Sequence, residues 1–182
     1  MSLVVVVSGS PGAASRTQEV GIRVGDTLSG RGFEVQSINV RDLPAEDLLH
    51  ARTESPALQQ AVGLVERARG VVILTPVYKA SYTGLLKAFL DLLPQLGLSG
   101  KVVLPLATGG TLAHVLAVDY ALRPVLQSLG AQHVVGGLFL LDKWIERRPS
   151  GGIDLQSDAA ERLDAVVADF TASLQRRDVT IS

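Results

Sequence analysis

The chain has 182 residues, 17 Lys and Arg against 18 Asp and Glu, 47% hydrophobic residues and no cysteine. A single domain over residues 1–182 fits this length, and a formal charge of −1 with no basic run longer than Arg147-Arg148 or Arg176-Arg177 excludes the electrostatic footprint of a nucleic-acid partner. Without cysteine there are no disulfides, thiolate nucleophiles, iron–sulfur clusters or cysteine zinc sites, so any redox chemistry must come from a bound cofactor.

Residues 3–7 are an unbroken apolar, β-branched run, the pattern of a strand buried on both faces. No basic residues of a signal peptide precede it, so the expected location is the cytoplasm. The run enters the small-residue loop 8–14, and residues 17–29 follow with helical spacing at Val20, Val24 and Leu28. Residues 33–40 alternate, with Val35, Ile38 and Val40, as a strand nearer a sheet edge does. A helix over 56–69 then leads to a strand at 71–74 that ends in Thr75-Pro76, and a helix over 84–93 leads to a strand at 102–106 that ends in Ala107-Thr108-Gly109-Gly110. The spacing predicts a helix over 112–129, a strand over 134–141 with Gly136-Gly137 inside it, and a helix over 155–175.

Two segments carry local conflicts. Pro124 falls inside the 112–129 helix, lacks an N–H and clashes with the carbonyl of Tyr120, so a kink or π-bulge is expected there. Residues 147–154, with Pro149 and Gly151-Gly152, read as the most mobile loop. The longest uncharged run, 102–118, is interrupted by Pro105 and Gly109-Gly110 and so is not a membrane span. His50, His114 and His133 share no metal-ligand spacing, so no metal site is expected.

Five strands alternating with five helices imply an α/β three-layer sandwich, a parallel sheet with helices on both faces. A mean hydropathy of +0.29 fits such a buried sheet. Ligands of these sheets sit beyond the carboxyl ends of the strands. The loops after strands one, three and four are therefore where chemistry is sought. The first presents Ser8, Ser10, Ser15, Arg16 and Thr17 at a helix N-terminus, a donor set suited to phosphate. It is neither Gly-x-Gly-x-x-Gly nor a P-loop, which disfavours a dinucleotide pyrophosphate or a nucleoside triphosphate. The second, from Pro76 through Val77, Tyr78, Lys79 and Ser81, offers ring faces and backbone groups to a flat heterocycle. The third, Thr108-Gly109-Gly110-Thr111, lets main-chain N–H groups approach a carbonyl or a developing negative charge. Each loop alone also reads as an ordinary cap, turn or packed tyrosine; their convergence on one sheet edge is what points to a ligand.

The Gly9-Ser10…Ser15 loop followed by Pro76-x-Tyr78-x-x-Ser81-x-x-Gly84-x-Leu86-Lys87-x-x-x-Asp91 resembles the flavodoxin-like NADPH-dependent FMN reductases. The resemblance is closer to the FMN reductases of two-component alkanesulfonate monooxygenase systems, through Ser55-Pro56-Ala57-Leu58, Leu90-Asp91-Leu92-Leu93-Pro94, the block from Gly100-Lys101 to Thr111, Ala113-His114, Asp119-Tyr120-Ala121-Leu122 and Arg176-Arg177-Asp178-Val179. It implies strand order 2-1-3-4-5, an FMN phosphate held by Ser10, Ser15, Arg16 and Thr17, and a flavin ring against Pro76, Val77, Tyr78 and Lys79 near Ser81. The ring's polar edge would meet Thr108, Gly109, Gly110 and Thr111.

It further implies FMN and NADPH as cofactors, a flavin-dependent monooxygenase as the partner that receives reduced FMN, and no side chain needed as general acid or base. Tyr120 is implied in flavin release and subunit contacts. Leu85, Leu86, Phe89, Leu92 and Leu93, with the 112–129 helix, offer a seam for a homodimer or homotetramer. This sequence departs from the wider family where Gly12 replaces an arginine and where Val77 and Lys79 replace the Glu and Asn flanking the tyrosine. The first loses a phosphate-side cation, which suits an enzyme that lets reduced FMN go. An FMN-retaining quinone or azo reductase remains the enzymatic alternative. A flavodoxin-like electron carrier is disfavoured, because such carriers steer with strong negative charge.

Overall fold

The computed structural model describes residues 2–180, with side chains through Arg176, so the side chains of Arg177, Asp178 and Val179 lie outside the described residues. The first strand, β1 (Leu3–Ser8), lies inside the sheet, with Val4, Val5, Val6 and Val7 all buried. Its even-numbered valines join one core with Val20, Val24 and Leu28 of α1 (Arg16–Gly30) and with Leu163, Val167 and Phe170 of α6 (Ser157–Thr180). Its odd-numbered valines join the other, with Leu58 and Val65 of α3 (Pro56–Arg67), Leu86 and Phe89 of α4 (Gly84–Leu90) and Leu126 of α5 (Arg123–Ser128). Full burial of each such side chain contributes about 1.5–3 kcal/mol. The alternation therefore holds helices on both faces of one strand.

The neighbours of β1 are β2 (Glu34–Asn39) and β3 (Gly70–Pro76), and β3 pairs in turn with β4 (Val102–Gly109), all in parallel. With β5 (His133–Val134) beyond β4, the order β2-β1-β3-β4-β5, flanked by helices, is the expected 2-1-3-4-5 sheet. A short helix, α2 (Ala45–Leu49), which the apolar spacing did not announce, lies between β2 and α3.

The fifth strand is not continuous. It divides into β5 (His133–Val134) and β6 (Leu138–Leu141), both paired with β4. Val103 and Leu106 on β4 match Val134 and Leu138, so the outer strand carries one extra residue between them. The cause is Pro105. Val103 O accepts from Val135 N at 2.9 Å, and Pro105, two residues on and facing the same way, has no N–H to continue the ladder. At the break, a Cβ on Gly137 would stand 2.6 Å from Val118 Cγ1 and 2.9 Å from Pro105 O, so only glycine fits.

The 112–129 helix is also broken, as Pro124 requires. A 3-10 turn at Leu112–His114 precedes a π-helical turn at Val118–Leu122, where Arg123 N–H reaches back five residues to Val118 O. Pro124 then falls in the first turn of α5, where no donor is needed. The helix expected over 84–93 ends at Leu90, and Leu92 and Leu93 close 3-10-type bonds to Phe89 O and Leu90 O ahead of Pro94. Residues 148–152, inside the loop expected at 147–154, form the turn of a hairpin in which β7 (Ile145–Arg147) pairs antiparallel with β8 (Ile153–Leu155). Among the described residues no helix is long and apolar enough to cross a membrane.

Gly137→Ala is expected to lower unfolding stability by about 1–3 kcal/mol, read as a shift of the urea midpoint without a change of slope, because the added methyl must displace Val118 or Pro105.

Candidate functional site

The carboxyl ends of β1, β3 and β4 are joined by a closed set of hydrogen bonds. Thr83, the N-cap of α4, donates its hydroxyl to Gly9 O at 2.6 Å and accepts from Leu86 N. Its own amide donates to Thr75 Oγ1 at 3.1 Å. Val77 N donates to Thr108 O at 2.8 Å, and the hydroxyls of Thr108 and Thr17 meet at 2.7 Å in a buried pair. The three loops are therefore tied to one another. Thr75, Thr83, Thr108 and Thr17 are all buried, which makes them struts of the site.

Ser10, also buried, donates to Ser15 Oγ at 2.6 Å, and Ser15 Oγ caps α1 by accepting from Gln18 N at 3.4 Å. With both its acceptor roles filled, Ser15 keeps its own O–H to donate. The amides of Arg16 and Thr17 open the helix and have no partner within it. They and the positive end of the helix dipole face the same loop. The Arg16 side chain is exposed, and its Nε donates to Ile145 O at 3.1 Å, which aligns the guanidinium along the start of β7. Thr17 differs from the other three: it lies under the loop, its hydroxyl engaged by Thr108, so only its backbone amide is left toward the loop.

Pro76, Thr108 and Gly109, expected on loops, are the last residues of their strands, and Pro76 pairs with Thr108 in register. A Cβ on Gly109 would be 2.8 Å from Phe139 Cζ, so the main chain at this edge packs directly on an aromatic ring. Gly110 and Thr111 are exposed beyond it. Tyr78 and Ser81 exchange both backbone hydrogen bonds, at 2.9 and 3.1 Å, around Lys79 and Ala80, which have φ of 51° and 64°. Two consecutive left-handed non-glycine residues cost about 1–2 kcal/mol each. This tight turn leaves Tyr78 54% exposed above the strand ends. Beside it runs a groove of ≈ 460 Å³ lined by Ala80, Ala113, His114, Leu116, Ala117 and Tyr120.

Lys87 and Asp91 form an exposed ion pair, with Lys87 Nζ at 2.6 and 2.8 Å from the two carboxylate oxygens. That hydrogen bond holds the Lys87 ammonium above its usual value, and the pair staples α4 rather than entering the site. Lys101 is buried and donates to Glu66 O and Ala68 O at the end of α3, with burial pushing its ammonium below the usual lysine range. Spacing did not single out Thr83 or Asp142 as part of this edge. For Thr83 the signal was present, a threonine directly before the first residue of a helix.

Residues 2–146 match the family model of NADPH-dependent FMN reductases. The chain belongs to this family. Among similar proteins, an FMN reductase (NADPH) of Escherichia coli is 45% identical over 181 residues, 98% of this chain and 93% of that protein. An FMN reductase (NADPH) of Pseudomonas putida is 47% identical over 176 residues, covering 96% of this chain and 89% of the relative. The solved apo form of an NADH:FMN oxidoreductase (EMOB) superposes with a TM-score of 0.88 at 41% identity, over 95% of this chain and 90% of that one. Membership makes this chain an oxidoreductase of flavin chemistry, with FMN and NADPH as the pair its family uses.

Thr17→Val is expected to cost about 1–2 kcal/mol in urea unfolding, because it leaves the buried Thr108 hydroxyl unpaired. The Thr17→Val/Thr108→Val double variant is expected to regain most of that loss.

Proposed function

We propose that this chain, acting as one cytoplasmic flavin reductase domain, reduces FMN with NADPH and hands the reduced flavin to a flavin-dependent monooxygenase of the alkanesulfonate class. The observation that carries the reading is the hydrogen-bonded edge itself: phosphate-type donors at one end, adjacent glycine amides at the other, and a tyrosine turn between them. The donor set fits FMN. Ser10, Ser15, Arg16 and the Thr17 amide take the phosphate. Pro76, Val77, Tyr78 and Lys79 support the ring beside Ser81, and Thr108, Gly109, Gly110 and Thr111 meet its polar edge. Bound FMN supplies the atom, N5, that accepts a hydride from the nicotinamide C4. The residues of this chain bind, orient and shield: the strand-end amides are fixed before the ligand arrives, so they stabilise negative charge without reorganising. No side chain is required as a general acid or base.

The relation to a second protein follows from loose flavin binding. The loop carries Arg16, with Gly12 where the wider family carries a cation, so reduced FMN leaves for its acceptor. A homo-oligomer completes the proposal. Leu112, Val115, Leu116 and Tyr120 are exposed on the irregular segment before α5, and Tyr120 is 78% exposed. This strip, continuous with the groove beside Ala80, is the subunit contact.

Purified colourless protein is expected to oxidise NADPH at 340 nm only when free FMN is added. Turnover by yellow protein without added FMN would instead mark a prosthetic flavin and a quinone or azo reductase. In the same assay Arg16→Ala is expected to raise the FMN concentration for half-maximal rate about tenfold, equivalent to roughly 1.4 kcal/mol of lost binding, with the saturated rate unchanged. Tyr120→Asp is expected to shift the protein to a monomer in sedimentation equilibrium while leaving its circular dichroism intact.

A further inference from the structure

We propose that Asp142 sets the release of reduced flavin by placing a carboxylate against the backbone that receives the ring's polar edge. The inference rests on the FMN site proposed above.

Asp142 follows β6 directly, opening the 3-10 turn Asp142–Trp144. Gly109 pairs with Leu141 in the sheet register, so the next residue on each strand, Gly110 and Asp142, stand side by side. A Cβ placed on Gly110 would be 3.9 Å from Asp142 Oδ2, which puts the carboxylate against that glycine's main chain. Asp142 is half-buried; its carbonyl accepts from Ile145 N–H within the turn, and among the described residues its carboxylate takes part in no hydrogen bond or ion pair.

Three residues further on, Ile145 O holds Arg16 Nε at 3.1 Å. One short segment thus sets a cation at the phosphate end of the site and a carboxylate at the ring end. The phosphate carries the same charge before and after reaction, so Arg16 favours both flavin states alike. The ring does not. A hydride brings its electron pair to an uncharged ring and leaves NADP⁺ behind, so the ring gains a negative charge, delocalised toward N1 and the C2 carbonyl. A carboxylate beside that edge opposes the product and is nearly indifferent to the substrate. The glycine amides lower the barrier to forming the charge, and Asp142 limits how long the charged product stays.

The test compares FMN binding in both redox states. Dissociation constants for oxidised FMN, and for FMN reduced anaerobically with dithionite, are measured on wild type, Asp142→Asn and Asp142→Glu, with melting temperatures of the flavin-free proteins as the folding control. The ratio of reduced to oxidised constants is expected to fall about tenfold in Asp142→Asn, a rise of roughly 30 mV in the midpoint potential of bound FMN for a two-electron couple. Asp142→Glu is expected to keep the wild-type ratio. An unchanged ratio in Asp142→Asn, or equal weakening of both states, overturns the proposal while leaving the FMN site standing. Failure of wild type to bind FMN in either state overturns both.

Discussion

A strand buried on both faces has no side on which its chain can turn back, so the polypeptide must leave β1 at its carboxyl end and cross over a helix to return. The four consecutive buried valines impose this on the whole molecule. Each crossover delivers another loop to the same edge, and the right-handed sense of such units puts α1 and α6 on one face and α3, α4 and α5 on the other. Everything chemical follows from that edge. The donors of the first loop, the turn around Lys79 and Ala80, and the glycines after β4 are far apart in sequence and adjacent in space because parallel pairing leaves them nowhere else to go.

Buried hydroxyls then convert an edge into a site. A loop at the end of a strand is ordinarily the most mobile part of a fold. Here Thr83 grips Gly9, Val77 grips Thr108 and Thr108 grips Thr17. The order that holds these loop amides in place is established during folding, so a ligand at this edge would not have to supply it. The left-handed turn at Lys79 and Ala80 fits the same picture, since unfavourable backbone geometry persists only where its surroundings over-determine it.

Much of this was legible from residue patterns. The apolar run at 3–7 and those ending at Leu74 and Leu106 identified buried parallel strands, and the helical spacing of Val20, Val24 and Leu28 identified the face of α1 that packs on them. Pro124 announced its own irregularity, since a missing donor is a local fact. Other features depended on tertiary partners that no window of sequence contains. The split of the 134–141 strand arises from Pro105, some thirty residues earlier on the neighbouring strand. Thr17 looked like an open hydroxyl because its partner, Thr108, lies 91 residues away. Asp142 offered no motif, only a place beside Gly110 that register alone creates. The hairpin of β7 and β8 was hidden by the proline and glycines of its own turn.

The divided outer strand has a consequence for the molecule's behaviour among its own copies. An open sheet ends in a row of unpaired amides and carbonyls, a template on which another chain can add a strand. On the β4 side that row is cut into two short pieces, offset by one residue at Val135–Gly137 and interrupted by a glycine that offers no side chain to grip. On the far side, β2 turns Glu34, Gln36 and Ser37 to solvent. A sheet with so apolar a centre thus has margins poorly suited to receive a straight added strand, and the defect introduced by Pro105 acts against edge-to-edge pairing between copies.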